Sequence, residues 1–296
     1  MIDSDIQDFL AALLVERGMS GNTCAAYAND LANFAAFLKT RKIDSASAVT
    51  RELIVEFLAA ERRRGLKGTS RSRRSAGLRM FFRYLRERRL IAADPTELMD
   101  SPRKELTLPR VLSEAEVFAM LDAVSGDDPR SLRDRALLET LYGCGLRVSE
   151  ACALTLGDLV ADGELLRIFG KGSKERLVPL GGAAGRAISA YLERGRGAFA
   201  SAGPSQLFLT RLGRAFTRQG VFKIVRERAA AVGIAAERIS PHVLRHCYAS
   251  HMLQHGADIR SIQELLGHAD IGTTQIYTHV DVRRFNDIHR RYHPRA

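Results

Sequence analysis

A short segment near the end of the chain gathers residue types that could bind either a metal or a phosphate. It reads SPHVLRHCYASHMLQHG over residues 240–256 and holds four histidines around Arg245, with no histidine anywhere before His242. His242 and His246 are four residues apart, the spacing that puts two metal ligands on one face of a helix. A metalloprotease helix needs a glutamate after the first histidine, and this chain has Val243 there. Because the fixed charge of Arg245 would repel a divalent cation, we expect no metal site.

The same segment suits an anion better. Ser240 can cap a helix and Pro241 can take its first position, which places His242 in the first turn. Such a helix start presents free N–H groups and the positive end of the helix dipole. Arg245 adds a planar fork that matches two phosphate oxygens. An isolated His-x-x-Arg pattern is usually an ordinary surface helix, so this interpretation depends on the rest of the chain.

Two further segments have residues suited to phosphate chemistry. In GCGLRVSE, Arg147 follows a glycine-rich break at a predicted helix start, and Glu150 can orient it. In GKGSKER, Lys171 lies at a predicted hairpin turn. A turn lysine is often only a solvated charge, and Lys174 is an alternative for any role given to Lys171.

The segment LLGHADIGTTQIYTHVD supplies a possible nucleophile. Gly267 is predicted to end a helix, His268 follows it, and a short helix is expected to carry Tyr277. A tyrosine near a helix end is most often a packed aromatic. Its hydroxyl, with a pKa of about 10, needs neighbours that stabilise the anion before it can act as a nucleophile.

In order and local context these residues resemble the constellation of the tyrosine site-specific recombinases. The motifs HxLRHxxAxHxL, GKGxKER and LLGHxxxxTTQIYTH are together highly specific, and the resemblance runs the full length of the chain. SPHVLRH and HPRA are most similar to the XerD branch of the bacterial Xer type, although QELLGHA would suit the XerC branch too. Cys144 departs from the pattern, where a small or hydroxyl residue is more usual. The matching residues are Arg147, Lys171, His242, Arg245, His268 and Tyr277.

The resemblance implies phosphoryl transfer without a metal or any other cofactor. Arg147 and Arg245 would clamp the non-bridging oxygens of one DNA phosphate. Tyr277 would attack the phosphorus to give a 3′-phosphotyrosyl link, and Lys171 would protonate the departing 5′-oxygen. The covalent link conserves the energy of the phosphodiester, so religation needs no ATP.

The histidines have separate roles under the same resemblance. His242 would help to take the tyrosine proton or hydrogen-bond the phosphate, and His268 would donate to a phosphate oxygen. The remaining histidines in this part of the chain are expected to have no catalytic part; they include His251, His255, His289 and His293.

Composition indicates a polyanionic partner and a cytoplasmic location. The chain has 296 residues, a net charge of +11 and a pI of about 9.9, values typical of a protein with a polyanionic partner. Its four cysteines form no CxxC pair, which predicts reduced thiols. The acidic start MIDSDIQDFL lacks the basic region of a signal peptide, and no apolar run approaches the ~18 residues of a membrane span.

The resemblance adds partners that composition cannot name. It implies double-stranded DNA, a paralogous Xer recombinase in a heterotetramer on two DNA sites, and activation by a septal DNA translocase. The function expected is resolution of chromosome dimers at cell division, by an enzyme associated with the nucleoid. Pairing with itself rather than with a paralogue stays open, and so does the DNA target sequence.

The predicted fold class is mainly α with a small antiparallel β-sheet. Proline-punctuated residues 94–110 are predicted to be a linker. It would separate an all-helical DNA-binding domain at 1–93 from a mixed catalytic domain at 111–296. The resemblance implies that the two close as a C-shaped clamp on DNA. From Glu61 to Ile91 there are twelve basic and two acidic residues, too one-sided for pairing between neighbouring turns, which favours a phosphate-backbone surface.

Three alternative functions fit the sequence less well. A metal-dependent nuclease would need a carboxylate cluster, which is not evident, and an inactive DNA-binding protein would show a broken constellation. A phage or mobile-element integrase of the same family often carries an extra N-terminal module, for which this chain has no room.

The tail has an apolar stripe, Val282, Phe285, Ile288 and Tyr292. The stripe would pack on its own domain or, as the resemblance favours, on a neighbouring subunit.

Overall fold

The protein divides into two compact units, Met1–Thr107 and Leu108–Ala296. We describe a computed structural model, which covers residues 1–17, 19, 21–97, 99, 111–170, 175–199, 205–267 and 279–296. Residues 98 and 100–110 of the predicted linker therefore lie outside the described part. Within the described ranges, no helix is both long enough and apolar enough to span a bilayer.

The described part of the N-terminal unit contains four α-helices, as the periodicity predicts. Their apolar faces meet in one core in which five phenylalanines are almost fully buried: Phe9, Phe34, Phe57, Phe81 and Phe82. Edge-to-face contacts such as that between Phe9 and Phe81, with ring centroids 5.5 Å apart, fix how the first and last helices pack. The helices are α1 (Ile2–Val15), α2 (Gly21–Lys39), α3 (Arg51–Arg63) and α4 (Gly68–Glu87).

Part of the basic run belongs to the core of this unit. The carboxylate of Asp30, on α2, accepts from Arg73 Nε at 2.8 Å and from Arg74 Nε at 3.1 Å. The Arg74 guanidinium also bonds Glu61, on α3, and both side chains are buried. The charges of Arg73 and Arg74 are therefore neutralised by carboxylates on other helices, and the residue spacing within one helix does not predict such pairs. Arg74 is a packing element between helices, so a basic surface has to be built from other members of the run.

The C-terminal unit combines eight helices with a three-stranded antiparallel sheet among its described residues, which confirms the predicted fold class. The hairpin predicted around KGSK is present as two paired strands, although residues 171–174 of its turn lie outside the described part. The elements are α5 (Glu114–Asp122), α6 (Pro129–Gly143), α7 (Val148–Ala153), β1 (Leu159–Val160), β2 (Leu165–Phe169), β3 (Glu175–Pro179), α8 (Gly182–Arg194), α9 (Arg218–Ala230), α10 (Pro241–Gln254), α11 (Ile259–Leu266) and α12 (His279–Tyr292).

Helix α6 is the centre of the C-terminal unit. Nearly all of its length from Leu132 is buried, because α5, α7, α8 and α10 pack around it. The predicted capping box is present at the start of α5, where Ser113 Oγ accepts from the Glu116 N–H at 3.2 Å and the Glu116 carboxylate accepts from the Ser113 N–H at 2.8 Å. The burial of α6 fixes the position of its C-terminal end, where the glycine-rich segment with Arg147 begins.

The tail helix α12 packs on its own unit. Phe285 is 5% exposed and lies in a cluster with Tyr248, Met252 and Leu265, while Ile288 is packed against the same cluster. Beyond the helix, Arg295 donates to Glu139 Oε1 at 2.6 Å and to Asp122 Oδ1 at 2.9 Å. Phe285, Ile288 and Tyr292 of the predicted apolar stripe therefore contact their own unit, whereas docking of the tail on a neighbouring subunit stays a prediction.

Replacing Phe285 by alanine is expected to destabilise this attachment. Truncating a buried phenylalanine removes apolar contact and leaves a cavity, at a cost of about 3–5 kcal/mol. The free energy of unfolding in urea, followed by circular dichroism, measures it. The matched change Phe169→Ala, at a phenylalanine that is 54% exposed, should cost much less. Equal losses for the two variants would contradict the packing described for α12.

Candidate active site

The first element of the site is Arg245 on α10. As predicted, Ser240 caps this helix, its Oγ accepting from the Val243 N–H at 3.2 Å, and Pro241 takes the first position. The helix directs Arg245 inward, where the residue is only 7% exposed. Its guanidinium donates to the carbonyl oxygens of Gly145 and Leu266, each at 2.7 Å. Two backbone acceptors therefore fix the plane of this guanidinium.

The second element is Arg147, which occupies the N-cap position of α7. The chain reaches it through Gly145, whose φ of +58° is in the left-handed region. A Cβ there would also lie 2.8 Å from the ring of Tyr248, so only glycine fits this turn. The Arg147 guanidinium donates to Glu150 Oε1 at 2.8 Å and to the Gly267 carbonyl at 3.5 Å. The Arg147 side chain is 38% exposed, so it remains partly accessible from solvent.

Glu150 joins the two arginines. As predicted, it orients Arg147, since its Oε2 also accepts from the Arg147 backbone N–H at 2.8 Å. Oε2 lies 3.7 Å from the nearest Arg245 nitrogen. A third arginine, Arg176 on β3, donates to both carboxylate oxygens at 2.9 Å. A single buried carboxylate thus lies among three guanidiniums.

Arg176 was not singled out from the sequence, although a signal existed. On β3, Arg176 and Val178 are buried while Glu175 is exposed, which follows the alternation of a half-buried strand. An arginine on the buried face of a strand needs a charged partner, because an unpaired buried charge is costly. Glu150, which is predicted to lie beside Arg147, is a carboxylate that could pair with Arg176.

The charges of the cluster are held in their ionised forms. Burial alone would raise the pKa of Glu150, but the hydrogen bonds and charge of Arg176, followed by those of Arg147, lower it to about 2. Burial, followed by the charge of Arg147, lowers the pKa of Arg245 to about 10. At neutral pH the Glu150 carboxylate and the Arg245 guanidinium are therefore both charged. Three guanidinium cations and one carboxylate anion leave the cluster with a net charge of +2.

The end of α11 supplies a second set of acceptors. Three consecutive carbonyls, those of Leu265, Leu266 and Gly267, accept from Arg176, Arg245 and Arg147 respectively. Carbonyls at a helix C-terminus carry the negative end of the dipole and favour cations. Gly267 ends the helix in the left-handed conformation with φ of +67°, as predicted for a C-cap. His268 follows directly but lies outside the described residues.

His242 lies in the first turn of α10 and is exposed. Partial desolvation of its ring, together with the charges of His246, Arg245 and Arg147, lowers its pKa below the usual value. This shift favours the neutral form of the ring, which can accept a proton. The His242 and His246 rings stack with centroids 6.2 Å apart. Among the described residues, no group of three or more His, Cys, Asp or Glu side chains could hold a metal ion.

Three of the remaining histidines form packing contacts inside the C-terminal unit. His251 is buried, with Nδ1 2.9 Å from the Tyr142 hydroxyl and Nε2 2.9 Å from the Leu112 carbonyl. His289 donates from Nε2 to the Gly143 carbonyl at 2.7 Å. Burial lowers the pKa of His289 to about 4. Its ring stacks on that of His293 with centroids 4.6 Å apart. These contacts join α12 to α6 and α10.

Of the six residues predicted for the site, the structure describes three and brings them together. Arg147, Arg245 and His242 come from two helices, and the first two share Glu150. The other three lie outside the described residues: Lys171, His268 and Tyr277. Their roles stay predictions.

Comparison with known proteins identifies the family. The sequence profile described as "Phage integrase family" matches residues 110–284, more than half of the chain. The chain belongs to the phage integrase family. The profile "Phage integrase, N-terminal SAM-like domain" of this family matches residues 6–89, within the four-helix unit.

Individual members of the family are similar over almost the whole chain. "Tyrosine recombinase XerD" of Pseudomonas aeruginosa is 46% identical over 98% of this chain and 97% of its own length. The protein of the same name from Halalkalibacterium halodurans is 41% identical over 100% of this chain and 99% of its own. The predicted membership in the Xer-type tyrosine recombinases is confirmed, and so is the enzyme class.

A solved structure has the same fold. "Crystal structure of XerH site-specific recombinase bound to difH substrate: pre-cleavage complex" superposes with a TM-score of 0.67 and 26% identity. The match covers 89% of this chain and 78% of that chain. It supports the mainly helical fold class.

Proposed function

We propose that this recombinase cuts and rejoins double-stranded DNA at specific sites through a 3′-phosphotyrosyl intermediate, with no metal and no ATP. The single observation that carries the proposal is the fixed pair of guanidiniums, Arg147 and Arg245. Their shared carboxylate and the carbonyls of α11 hold them in place. The net charge of +2 in this cluster suits a phosphodiester, which gains negative charge as it becomes pentacoordinate.

In this mechanism the two arginines bind the non-bridging oxygens of the scissile phosphate. Because Glu150, Gly145 and α11 already hold the guanidiniums, little reorganisation is needed when charge develops. The Arg147 side chain is partly exposed, and His242 is exposed at the start of α10, where free N–H groups also favour an anion. Charge neutralisation by arginine thus replaces the role that a metal ion has in many nucleases.

The covalent step is a balanced exchange of phosphorus–oxygen bonds. The Tyr277 oxygen forms a bond to phosphorus while the bond to the 5′-oxygen breaks. The proton of Tyr277 passes to a base, for which His242 is the candidate, and Lys171 donates a proton to the 5′-oxygen. His268 donates a hydrogen bond to a phosphate oxygen. Rejoining reverses these transfers with a 5′-hydroxyl from the partner strand.

The biological role that fits this chemistry is resolution of chromosome dimers at cell division. The high positive charge of the chain, +11, supports binding to DNA along its phosphate backbone. The partners expected are a paralogous Xer recombinase, forming a heterotetramer on two DNA sites, and a septal DNA translocase as activator. The expected place of action is the cytoplasm, at the nucleoid. The C-terminal unit, 111–296, would carry catalysis, and the helical unit, 1–93, would bind DNA through its remaining basic residues.

Covalent trapping of the protein on nicked DNA, in the presence of a chelator, tests the proposal. The wild-type protein should form a covalent complex with nicked DNA carrying the chromosome-dimer-resolution site of its own genome, at an undiminished rate in excess EDTA. Denaturing electrophoresis of labelled DNA measures the complex. Loss of cleavage in EDTA, with recovery in magnesium or zinc, would instead indicate a metal-dependent nuclease. Binding without any cleavage would indicate an inactive DNA-binding protein.

A sulfur-substituted substrate tests Lys171 as the general acid. An alkoxide is a poor leaving group, and a positioned acid contributes ~10² to 10⁴ in rate. Lys171→Ala should therefore cleave ordinary DNA slowly while still binding it. With sulfur at the bridging 5′ position, the leaving thiol has a pKa of only about 8.5, so the variant should approach the wild-type rate.

Variants at other cations serve as controls for this test. Arg147→Ala should stay slow on both substrates, because sulfur does not replace charge neutralisation. If Lys171→Ala is equally slow on both substrates, Lys171 is not the acid. Lys174→Ala is then the variant expected to be rescued by sulfur.

A further inference from the structure

Arg176 is the arginine of the cluster that cannot reach DNA. It is 4% exposed and lies on β3, beneath the end of α11. A Cβ built on Gly267 would come within 2.8 Å of Arg176 Cδ, so the arginine stem fills the space under that turn. Any effect of Arg176 on the reaction must therefore pass through the groups that it contacts.

Those groups are the ones that hold the phosphate-facing arginines. The Arg176 guanidinium donates one bond to each oxygen of Glu150, both at 2.9 Å, and its Nε donates to the Leu265 carbonyl at 3.2 Å. The bidentate geometry fixes the rotation of the carboxylate, since both oxygens are engaged in one plane. Each oxygen also accepts one hydrogen bond from Arg147. Glu150 therefore has four donors around it.

Because Glu150 already accepts four hydrogen bonds, it does not need one from Arg245. Glu150 Oε2 lies 3.7 Å from Arg245 Nη1, beyond hydrogen-bond distance. Without Arg176 the buried oxygen would lose a donor and would need another one. Arg245 is the nearest guanidinium available, and turning toward Glu150 would take it from the Gly145 carbonyl that now orients it.

We infer that Arg176 is a positioning residue for strand cleavage, which keeps Glu150 occupied so that Arg147 and Arg245 stay directed at the phosphate. The inference rests on the proposed function, because it assigns the two arginines to the scissile phosphate. It predicts a loss tied to the charge of the non-bridging oxygens. A loss of general packing would have no such dependence.

The test compares Arg176→Met with the wild type on two nicked substrates. One carries an ordinary phosphodiester at the scissile position and the other a methylphosphonate, which lacks the negative charge of one non-bridging oxygen. The variant should form the covalent complex about 10- to 100-fold more slowly on the phosphodiester, the size expected from a small misplacement of catalytic groups. On the methylphosphonate its deficit should shrink to a few-fold. Equal deficits on both substrates, or none on the phosphodiester, would overturn the inference.

Two more variants make the result interpretable. Arg176→Lys keeps the charge but cannot bond both carboxylate oxygens and Leu265 together, so it should be intermediate on the phosphodiester. It replaces the methionine variant if thermal unfolding shows that the latter does not fold, and a wild-type rate would then overturn the inference. Arg167→Met is the matched control, because this arginine on β2 donates to the Gly157 carbonyl at 2.8 Å and its side chain is 37% exposed. It should match the wild type on both substrates.

The failure of this inference is distinguishable from the failure of the proposed function. If the wild-type protein forms no covalent complex on the nicked phosphodiester, the proposed function fails. If the wild type forms it and Arg176→Met forms it equally fast, only the role of Arg176 fails. Gel-shift binding to the intact site should change little in the methionine variant, because the buried side chain has no path to the DNA.

Discussion

The Tyr277→Phe variant should form no covalent complex with nicked DNA, a loss of at least ~10⁴-fold, while its binding to intact DNA stays nearly unchanged. Only a hydroxyl is removed, so the shape of the side chain is kept. Without that oxygen the enzyme has no nucleophile, and removing the nucleophile of a covalent enzyme abolishes almost all of its rate enhancement. Denaturing electrophoresis of labelled DNA, beside a gel shift, measures the two quantities.

Two other tyrosines show whether the loss is specific to Tyr277. Tyr292→Phe, on the tail helix, should keep the covalent complex. Tyr248 is fully buried, and that burial raises the pKa of its phenol far above the ordinary value, so its hydroxyl is neither accessible nor easily ionised. A complex that persists in Tyr277→Phe would move the nucleophile to another residue, and the tyrosine that abolishes it would identify that residue.

The second large effect is expected for Arg245→Ala. Removing one preformed donor to a developing oxyanion costs about 10² to 10³ in rate. Here the loss should reach the upper part of that range or exceed it, because the carbonyls of Gly145 and Leu266 would also lose the donor that they share. Single-turnover formation of the covalent complex on nicked DNA measures the effect.

Two further variants, Arg245→Lys and Arg194→Ala, separate the contribution of charge from that of geometry at Arg245. Arg245→Lys keeps a positive charge but has no planar fork to reach two carbonyls and a phosphate, so it should recover only a small part of the rate. Arg194→Ala removes an exposed arginine paired with Asp127 at 2.9 Å and should cleave at the wild-type rate. If Arg245→Lys is fully active, charge alone is sufficient and the orienting role of the carbonyls is wrong.

The local features of the site were predicted correctly because neighbouring residues determine them. The Ser240 cap, the proline at the first position of α10 and the left-handed Gly267 each depend on a few adjacent residues. The same holds for the paired strands β2 and β3 around the predicted turn. Glu150 could be assigned to Arg147 since the two are three residues apart on one helix start.

Side-chain partners that are distant in the sequence were not predictable in the same way. The basic run reads as an unpaired charge, yet Arg73 and Arg74 lie more than forty residues from Asp30 in the sequence and bond it in the core. The tail stripe shows that an apolar face must be buried, but not against which chain, because periodicity gives a face and not its partner. Only tertiary packing placed Phe285 on the cluster around Tyr248.

Specific motifs and local periodicity are sufficient to predict the family, the helical fold with a small sheet and the candidate catalytic residues. The way in which the charges are held depends instead on contacts between distant segments. Arg245 donates a hydrogen bond to Gly145, 100 residues away in the sequence. Arg147 donates to Gly267, which is 120 residues away, and Arg176 donates to Glu150, which is 26 residues away. No local rule couples such pairs, since they form only when α7, β3, α10 and α11 pack around one buried carboxylate. A buried charge pairs with whichever groups the folded core brings close to it, whatever their spacing along the chain.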